Sequence, residues 1–96
     1  MEELYIGYNE IDELFDIGFI EHLTVLDFEG NNLSDPEQLY YLKRCRKLTH
    51  LNLKYNPITT DNRTEYYSQI RDNCPLIEEL DDEPVEPGFF TQKMDV

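Results

Sequence analysis

Residues 48–58 read LTHLNLKYNPI, and this stretch decides how the chain folds. Two earlier segments align with it without a gap: MEELYIGYNEI at residues 1–11 and LTVLDFEGNNL at residues 23–33. All three fit the pattern LxxLxLxxNxL, with Met, Ile or Phe in place of some leucines. The pattern returns after 22 residues (from 1 to 23) and then after 25 (from 23 to 48). Repetition at a nearly constant period indicates a structure built by stacking similar units.

The pattern is typical of an α/β leucine-rich-repeat solenoid, in which every coil contributes one strand and one outer arc. Because alternate side chains of a strand face the same way, both apolar residues of each LxL pair should point into the core. Stacked strands should then form a short parallel sheet on the concave side, with 3₁₀ and α-helical arcs on the convex side. The asparagines of the pattern should turn inward and bond the backbone of neighbouring coils. We therefore interpret Asn9, Asn31 and Asn56 as structural residues.

The arcs between the strands differ in their apolar spacing. From Ile11 to Leu23 an apolar residue returns at every third position, which predicts 3₁₀ structure. The second arc has a capping-box spacing and an early proline, Pro36, and predicts an α-helix over residues 36–46. The third arc, residues 61–73, has apolar residues four apart and stops before Pro75. This arc predicts the terminal helix.

A degenerate fourth copy of the pattern follows the three matching segments. The prediction is therefore about three repeats with a C-terminal cap over residues 1–83. The tail that follows, residues 84–96, should be largely mobile because prolines and a glycine interrupt it. Phe89 and Phe90 in this tail either cover the end of the last coil or anchor a partner. We expect the covering role, with residues 91–96 disordered.

Composition restricts the partners. The 96 residues include 21 acidic and 8 basic side chains, for a net charge of −13. This balance excludes attraction to nucleic-acid phosphates or to an anionic membrane as the main function, and favours a protein partner with a basic or mixed surface. No stretch of about 18 apolar residues could span a membrane, and the acidic start of the chain is unlike a signal peptide. We therefore expect a cytoplasmic protein.

Catalytic and metal chemistry have little support in the sequence. Cys45 and Cys74 form neither a CxxC pair nor a zinc spacing, and they suit a reducing compartment. Together with Ile20 they occupy the same place before successive strands, so we expect a buried column with reduced thiols. The repeat register places neither His22 nor His50 beside a nucleophile. The interpretation is a chain that is not an enzyme, with no catalytic residues, no metal site and no cofactor.

The concave face is the candidate binding site, since stacked repeats present extended concave surfaces to their partners. Residues between and after the inward LxL pairs should be exposed there, together with Glu79 and Asp81 from the cap. Tyrosine offers rigid area with a hydrogen-bonding tip, which makes it common at binding hot spots. The candidate protein-binding residues are Tyr5, Tyr8, Asp27, Glu29, His50, Asn52, Lys54 and Tyr55.

One short run is basic in this acidic chain, and it contains Lys43, Arg44, Arg46 and Lys47. Positive charge at this place complements the C-terminal dipole of the predicted second helix. The alternative is a docking patch on the outer arc for an acidic partner such as a tubulin tail.

Two parts of the chain resemble a known class of repeat. The 22-residue period with three-residue apolar spacing is similar to the SDS22-like leucine-rich repeats. Residues 56–81 resemble the C-terminal cap of that class, although Cys74 stands where the class usually has leucine. Within the class, residues 26–31, 41–48 and 80–85 most resemble the flagellar leucine-rich-repeat proteins linked to outer-arm dynein transport and assembly.

This resemblance implies a protein-interaction module of a cilium or flagellum that serves dynein-arm transport or assembly. The alternative, suggested by other SDS22-like proteins, is a regulatory subunit that binds an enzyme such as a protein phosphatase. A third hypothesis, binding of basic nuclear proteins, rests on charge alone.

The first repeat begins at residue 1, with no capping helix to cover Leu4 and Ile6. Solenoid ends need a polar cover. We expect the chain to be a fragment of a longer array, the alternative being that another chain covers this edge. An uncovered strand edge would promote edge-to-edge self-association.

Overall fold

The computed structural model describes residues 2–94, and its central feature is one five-stranded sheet. Strands β1 to β4 are parallel and lie in chain order, so each coil adds one strand to the same edge. The last strand, β5, pairs with β4 in the antiparallel direction. The predicted parallel sheet is confirmed. The strands are β1 (Glu2–Tyr5), β2 (Leu23–Asp27), β3 (His50–Asn52), β4 (Glu79–Leu80) and β5 (Glu83–Pro84).

Apolar side chains from every coil meet behind the sheet in a single core. The strand register aligns Leu4, Leu26, Leu51 and Leu80 in one row across the parallel strands. The last three are at most 2% exposed, whereas Leu4 is half-buried. Because strand side chains alternate between the two faces, burying this row leaves the residues on either side of it on the concave surface.

Two 3₁₀ helices lie on the convex side, η1 (Ile17–Phe19) and η2 (Pro36–Arg44). The 3₁₀ prediction for the first arc is confirmed. The α-helix predicted over residues 36–46 is wrong, because this arc also forms 3₁₀ turns. Its fully buried leucines, Leu39 and Leu42, lie three residues apart, which suits a helix with three residues per turn.

The third arc forms two α-helices, α1 (Ile58–Asp61) and α2 (Arg63–Asn73). The second of them confirms the predicted terminal helix, with Tyr66 and Ile70 fully buried. It ends before Pro75, which cannot continue a helix because its ring removes the backbone N–H. No helix within residues 2–94 is long and apolar enough to cross a membrane.

Two of the three repeat asparagines bond the preceding coil. Asn31 Oδ1 accepts the backbone N–H groups of Asn9 (2.9 Å) and Ile11 (3.0 Å), and its Nδ2 donates to the Ile6 carbonyl at 3.0 Å. Asn56 repeats this arrangement one coil later. Asn9 is exposed and donates only to carbonyls of its own coil, because no described coil lies before it. The inward orientation is thus confirmed for Asn31 and Asn56 and wrong for Asn9.

The predicted column of small apolar residues is confirmed at its two cysteines. Cys45 and Cys74 are free thiols, each 4% exposed. Burial raises the pKa of Cys74 to about 12 and also raises that of Cys45, so both side chains remain neutral thiols near neutral pH. Ile20, the member of the column in the first coil, is only half-buried.

The tail is more regular than the sequence predicts. After β5 the chain forms a third α-helix, α3 (Phe89–Met94), so residues 91–94 are helical where disorder was expected. Lys93 Nζ lies 2.9 Å from Glu83 Oε2 and links this helix to β5. Residues 95 and 96 lie outside the described part of the chain, and the domain boundary after residue 83 stays a prediction.

Phe89 gives the tail helix its contact with the body of the fold. Its ring is 9% exposed and lies edge-to-face against Tyr67 of α2, with 6.1 Å between the ring centroids. Phe90 is half-buried and packs edge-to-face against Phe89 at 5.1 Å. Packing of Phe89 against Tyr67 holds the tail helix in place despite the prolines and glycine that precede it. Phe89 therefore covers the end of the last coil, as expected.

Candidate functional site

The sheet brings four of the eight predicted binding residues into two rows on the concave face. Tyr5, Asp27 and Asn52 are paired across β1, β2 and β3 on one side of the buried leucine row. His50 pairs with Val25 on one side and Glu79 on the other, in the row on the opposite side of the leucines. The one-sided burial of the leucines therefore assembles side chains that lie about 25 residues apart in sequence.

Hydrogen bonds hold this face in a defined arrangement. The Tyr5 hydroxyl donates to Glu3 Oε1 at 2.7 Å, a bond that raises the pKa of Tyr5. His50 Nδ1 lies 2.9 Å from Thr49 Oγ1, and His50 Nε2 lies 3.6 Å from a carboxylate oxygen of Glu79. A shallow hollow of about 150 Å³ opens between these rows.

Lys54 is the centre of a charged group at the end of the rows. Its Nζ donates to Asp82 and lies 3.9 Å from Glu29 Oε1. The hydrogen bond to Asp82 raises the pKa of Lys54, so this amine stays positively charged. Asn52 Nδ2 donates to the other oxygen of Glu29 at 3.3 Å. Glu29, Asn52 and Lys54 thus form one network, as the repeat register predicts for neighbours on successive coils.

Tyr8, Gly30 and Tyr55 occupy the same turn in three successive coils, each one residue before a repeat asparagine. All three have left-handed backbone, with φ of 58°, 72° and 60°. The Tyr8 ring lies across Gly30, where a Cβ atom would come within 2.2 Å of the ring. Because glycine leaves that space open, Tyr8 lies flat over the turn while remaining 68% exposed, and Tyr55 is 70% exposed.

The comparisons with known proteins agree with this architecture. A family model described as Leucine Rich repeat matches residues 20–36 and 44–61. The Mex67 LRR domain from Chaetomium thermophilum superposes with a TM-score of 0.76 at 24% identity, over 94% of this chain and 62% of that one. A structure of Chaetomium Mex67:Mtr2 subunits gives a TM-score of 0.75 at 23% identity, over 98% and 62%. The chain carries leucine-rich repeats.

Curated relatives share the sequence as well as the fold. Leucine-rich repeat-containing protein 56 of Mus musculus is 33% identical over an alignment of 94 residues that covers 88% of this chain. The protein of the same name from Rattus norvegicus is 46% identical over 56 residues, or 58% of the chain. The chain spans only 17% and 10% of the length of these two relatives.

Asp81 does not lie on the concave surface, where the sequence placed it. It is half-buried, and its carboxylate accepts from the Leu53 N–H at 2.7 Å and from the Tyr66 hydroxyl at 2.6 Å. Burial raises the pKa of Asp81, while these two hydrogen bonds oppose the rise. Asp82 takes the expected concave position and bonds Lys54.

Asp82, and not Asp81, lies on the concave surface because the chain reverses direction at these two residues. Asp81 and Asp82 both have positive φ, 53° and 67°, and they form the two-residue connection from β4 to β5. Two positive φ values in succession are the backbone requirement of a tight hairpin turn. Such a turn breaks the side-chain alternation of a strand, on which the sequence argument for Asp81 relied.

Within residues 2–94, no group of three or more His, Cys, Asp or Glu side chains could hold a metal ion. Leucine-rich repeats are typically non-enzymatic interaction domains, and the solved neighbours share that fold. The concave face presents hydrogen-bonding and charged groups over a broad, shallow surface, which suits contact with another protein.

One cluster was not predicted from the sequence, although Arg44 in it belongs to the basic run. Phe15, Phe19 and Tyr41 surround Arg44 on the convex side of the repeats. A signal for it was present, since Phe19 and Arg44 each directly precede a member of the predicted column and so occupy the same place in successive coils. Residues in equivalent positions of stacked coils are neighbours in space.

Proposed function

We propose that this chain is a protein-interaction module whose concave face binds a partner with a basic or mixed surface. The observation that carries the proposal is the set of three tyrosines, Tyr5, Tyr8 and Tyr55, which are 64% to 70% exposed above a bonded network of charged side chains. Exposed tyrosines are the residues most suited to bury area on binding while keeping a hydrogen bond at the hydroxyl.

Two physical features of the face favour binding. First, the hydrogen bonds within the face fix its side chains before a partner arrives, which lowers the conformational entropy lost on association. Second, carboxylates outnumber cations, so the face attracts basic groups and repels acidic ones. The carboxylates are Glu3, Asp27, Glu29, Glu79 and Asp82, and the cation among them is Lys54.

The proposed setting is the transport or assembly of dynein arms in a cilium or flagellum, with the protein in the cytoplasm and in that organelle. Support for this setting comes from the resemblance of residues 26–31, 41–48 and 80–85 to flagellar repeat proteins. A protein phosphatase as partner is the alternative, and the experiment below separates the two.

The test is quantitative affinity purification of the full-length protein from flagellated cells, followed by mass spectrometry. The variant is Tyr8→Gly/Tyr55→Gly, and the control is Leu76→Ala, an exposed apolar side chain of the cap. Glycine suits the left-handed turns that both tyrosines occupy, so the free energy of unfolding should change by about 1 kcal/mol or less. Loss of a partner can then be assigned to the lost rings.

We expect outer-arm dynein subunits or their transport proteins with the wild type and the control, and strongly reduced amounts with the tyrosine variant. Recovery of a phosphatase catalytic subunit in their place would favour the alternative function. Equal recovery with all three proteins would exclude Tyr8 and Tyr55 from the binding site.

A further inference from the structure

The convex side carries a second surface, an aromatic platform made of Phe15, Phe19, Tyr40 and Tyr41. Phe15 lies edge-to-face against both Phe19 and Tyr41, with 5.2 Å between centroids in each pair. Tyr40 continues the cluster at 6.1 Å from Tyr41. Phe15, Phe19 and Tyr40 are 44%, 61% and 57% exposed. Large apolar rings that are grouped and open to solvent mark interaction surfaces more often than isolated ones do.

Arg44 holds the platform together. Its guanidinium carbon lies 4.5 Å from the Phe19 centroid, 5.2 Å from that of Phe15 and 5.4 Å from that of Tyr41. Arg44 Nη1 is buried and has no hydrogen-bond partner within residues 2–94. Contact between a guanidinium and several rings fixes the ring positions and leaves the outer faces of the rings free.

A basic hollow adjoins the platform at Phe19. It has a volume of about 530 Å³ and is lined by Lys43, Arg44, Arg46 and Lys47, with Glu21 as its carboxylate. None of these four cations takes part in an ion pair that the structure describes. Half of the eight basic residues of the chain therefore lie together and unpaired in a protein of net charge −13.

The dipole of η2 accounts for only part of this charge. Lys43 and Arg44 lie in the last turn of the helix, where positive charge is favourable. Arg46 and Lys47 lie beyond the helix end and are exposed, and the dipole effect falls off within one turn. Neighbouring cations also repel one another locally, so the helix dipole alone does not account for these two residues.

We propose that the platform and the basic hollow together bind an acidic peptide segment of a partner protein. Its carboxylates lie against Arg46 and Lys47, and one large apolar side chain packs on Phe19 and Phe15. The charge of the hollow and the exposed rings beside it match these two chemical features of such a segment. The site lies on the convex side and does not depend on the concave face or on the proposed function.

The surrounding charge favours a short acidic peptide over an extended polyanion. Electrostatic attraction in cells acts over about 8 Å, so four cations can neutralise only a short acidic segment. Nucleic acid or an anionic membrane would extend past the hollow onto a surface that is strongly negative. A peptide with a large apolar side chain also contacts the exposed rings. Phosphate groups of nucleic acid or lipid bind through charge and do not need these rings.

Fluorescence anisotropy with a labelled probe tests the site. The probe is a synthetic peptide of glutamates with one central phenylalanine. The variants are Arg46→Glu/Lys47→Glu, two exposed positions outside the Arg44–ring contacts, and Phe19→Ala, which removes the exposed ring nearest to Arg44. The matched control is Arg63→Glu/Arg71→Glu on α2, which changes the net charge of the protein by the same amount.

The wild type and the control pair should bind the probe alike. Arg46→Glu/Lys47→Glu should weaken binding by about tenfold or more, because two attractions become repulsions, and Phe19→Ala should weaken it by a smaller factor. A probe with alanine in place of the central phenylalanine should bind the wild type as weakly as the original probe binds Phe19→Ala. The affinity of the Phe19→Ala variant should be the same for both probes.

Several results would overturn the proposal. Equal weakening in the control pair would show that only net charge matters, and absence of saturable binding would show that the hollow is not a site. Equally strong displacement of the probe by single-stranded DNA or by phosphatidylserine vesicles would assign the hollow to a polyanion. A dimer in sedimentation that Arg46→Glu/Lys47→Glu abolishes would identify a second copy of the chain as the occupant.

Discussion

The first coil and the cap form opposite ends of the same stack, and they are packed very differently. In the first coil Leu4, Ile6 and Ile11 are only half-buried. In the cap Leu80 and Tyr66 are fully buried, although the same row of the sheet contains Leu4 and Leu80. The difference teaches that burial along the sheet depends on having a neighbour on both sides, since each coil contacts only adjacent coils. The arc of the first coil is different, because Leu14 there is fully buried.

The largest expected effect compares two leucines of that row. Leu80→Ala should lower the free energy of unfolding by about 2–5 kcal/mol, because it leaves a cavity in a packed core. Leu4→Ala should cost about 1 kcal/mol or less, because this side chain is already partly exposed to water. Chemical denaturation of both variants measures the difference, and equal losses would contradict the description of the two ends.

The cover of the last coil gives the next effect. Phe89→Ala should lower the free energy of unfolding by about 1.5–3 kcal/mol, the value of burying a phenylalanine side chain. Phe90→Ala serves as the control and should cost less, because that ring is half-buried against Phe89. If Phe89→Ala left stability unchanged and abolished binding of a partner, the ring would be an anchor for that partner.

Two asparagines test the same comparison with polar groups. Asn31→Ala should cost about 1–3 kcal/mol, because it leaves buried backbone groups of two coils without a hydrogen-bond partner. Asn9→Ala should cost about 0.5 kcal/mol or less, because Asn9 is exposed and bonds only its own coil. Thermal or urea unfolding measures both variants. If Asn9→Ala lowered the free energy of unfolding as much as Asn31→Ala, Asn9 would have the inward role that the structure does not show.

The smallest effect is a dependence of stability on pH at the cap. Burial raises the pKa of Asp81 above its ordinary value of 3.8, so the folded protein holds this proton more tightly than the unfolded chain does. The free energy of unfolding of the wild type, relative to Asp81→Asn, should therefore rise as pH falls through the Asp81 pKa. Urea unfolding of both proteins between neutral pH and about pH 4 measures this difference. If the Asp81 pKa were the same in the folded and unfolded states, the difference in unfolding free energy would not change with pH.

Much of the fold could be predicted because one side-chain pattern encodes it several times. The LxL pairs fix the strands, their register and the concave position of Asp27, His50, Asn52 and Lys54. Asn31 and Asn56 follow from the same repeat. The predicted inward orientation of Asn9 was wrong, and the pattern could not reveal this. The residue type is the same as at Asn31 and Asn56, and only the neighbouring coil differs.

The failures lie where the repeat pattern stops or where two signals compete. At η2, the cap signal before Pro36 favoured an α-helix, but the three-residue spacing of Leu39 and Leu42 decided the outcome. At Asp81 and Asp82 the sequence lacks the Asn-Gly pair that marks most tight hairpins, so the reversal into β5 was missed. The tail helix depends on Phe89 finding Tyr67, a long-range contact that local composition does not reveal.

The reversal at Asp81 and Asp82 also gives the stack a direction of growth. Because β5 covers the outer edge of β4 in the antiparallel sense, a further parallel strand has no place to add on that side. A duplicated coil can enter only towards β1, and each one would lengthen the molecule by a single strand spacing, about 4.8 Å. The hairpin thus fixes one end of the stack, and the length of the molecule is set by how many coils are inserted before it.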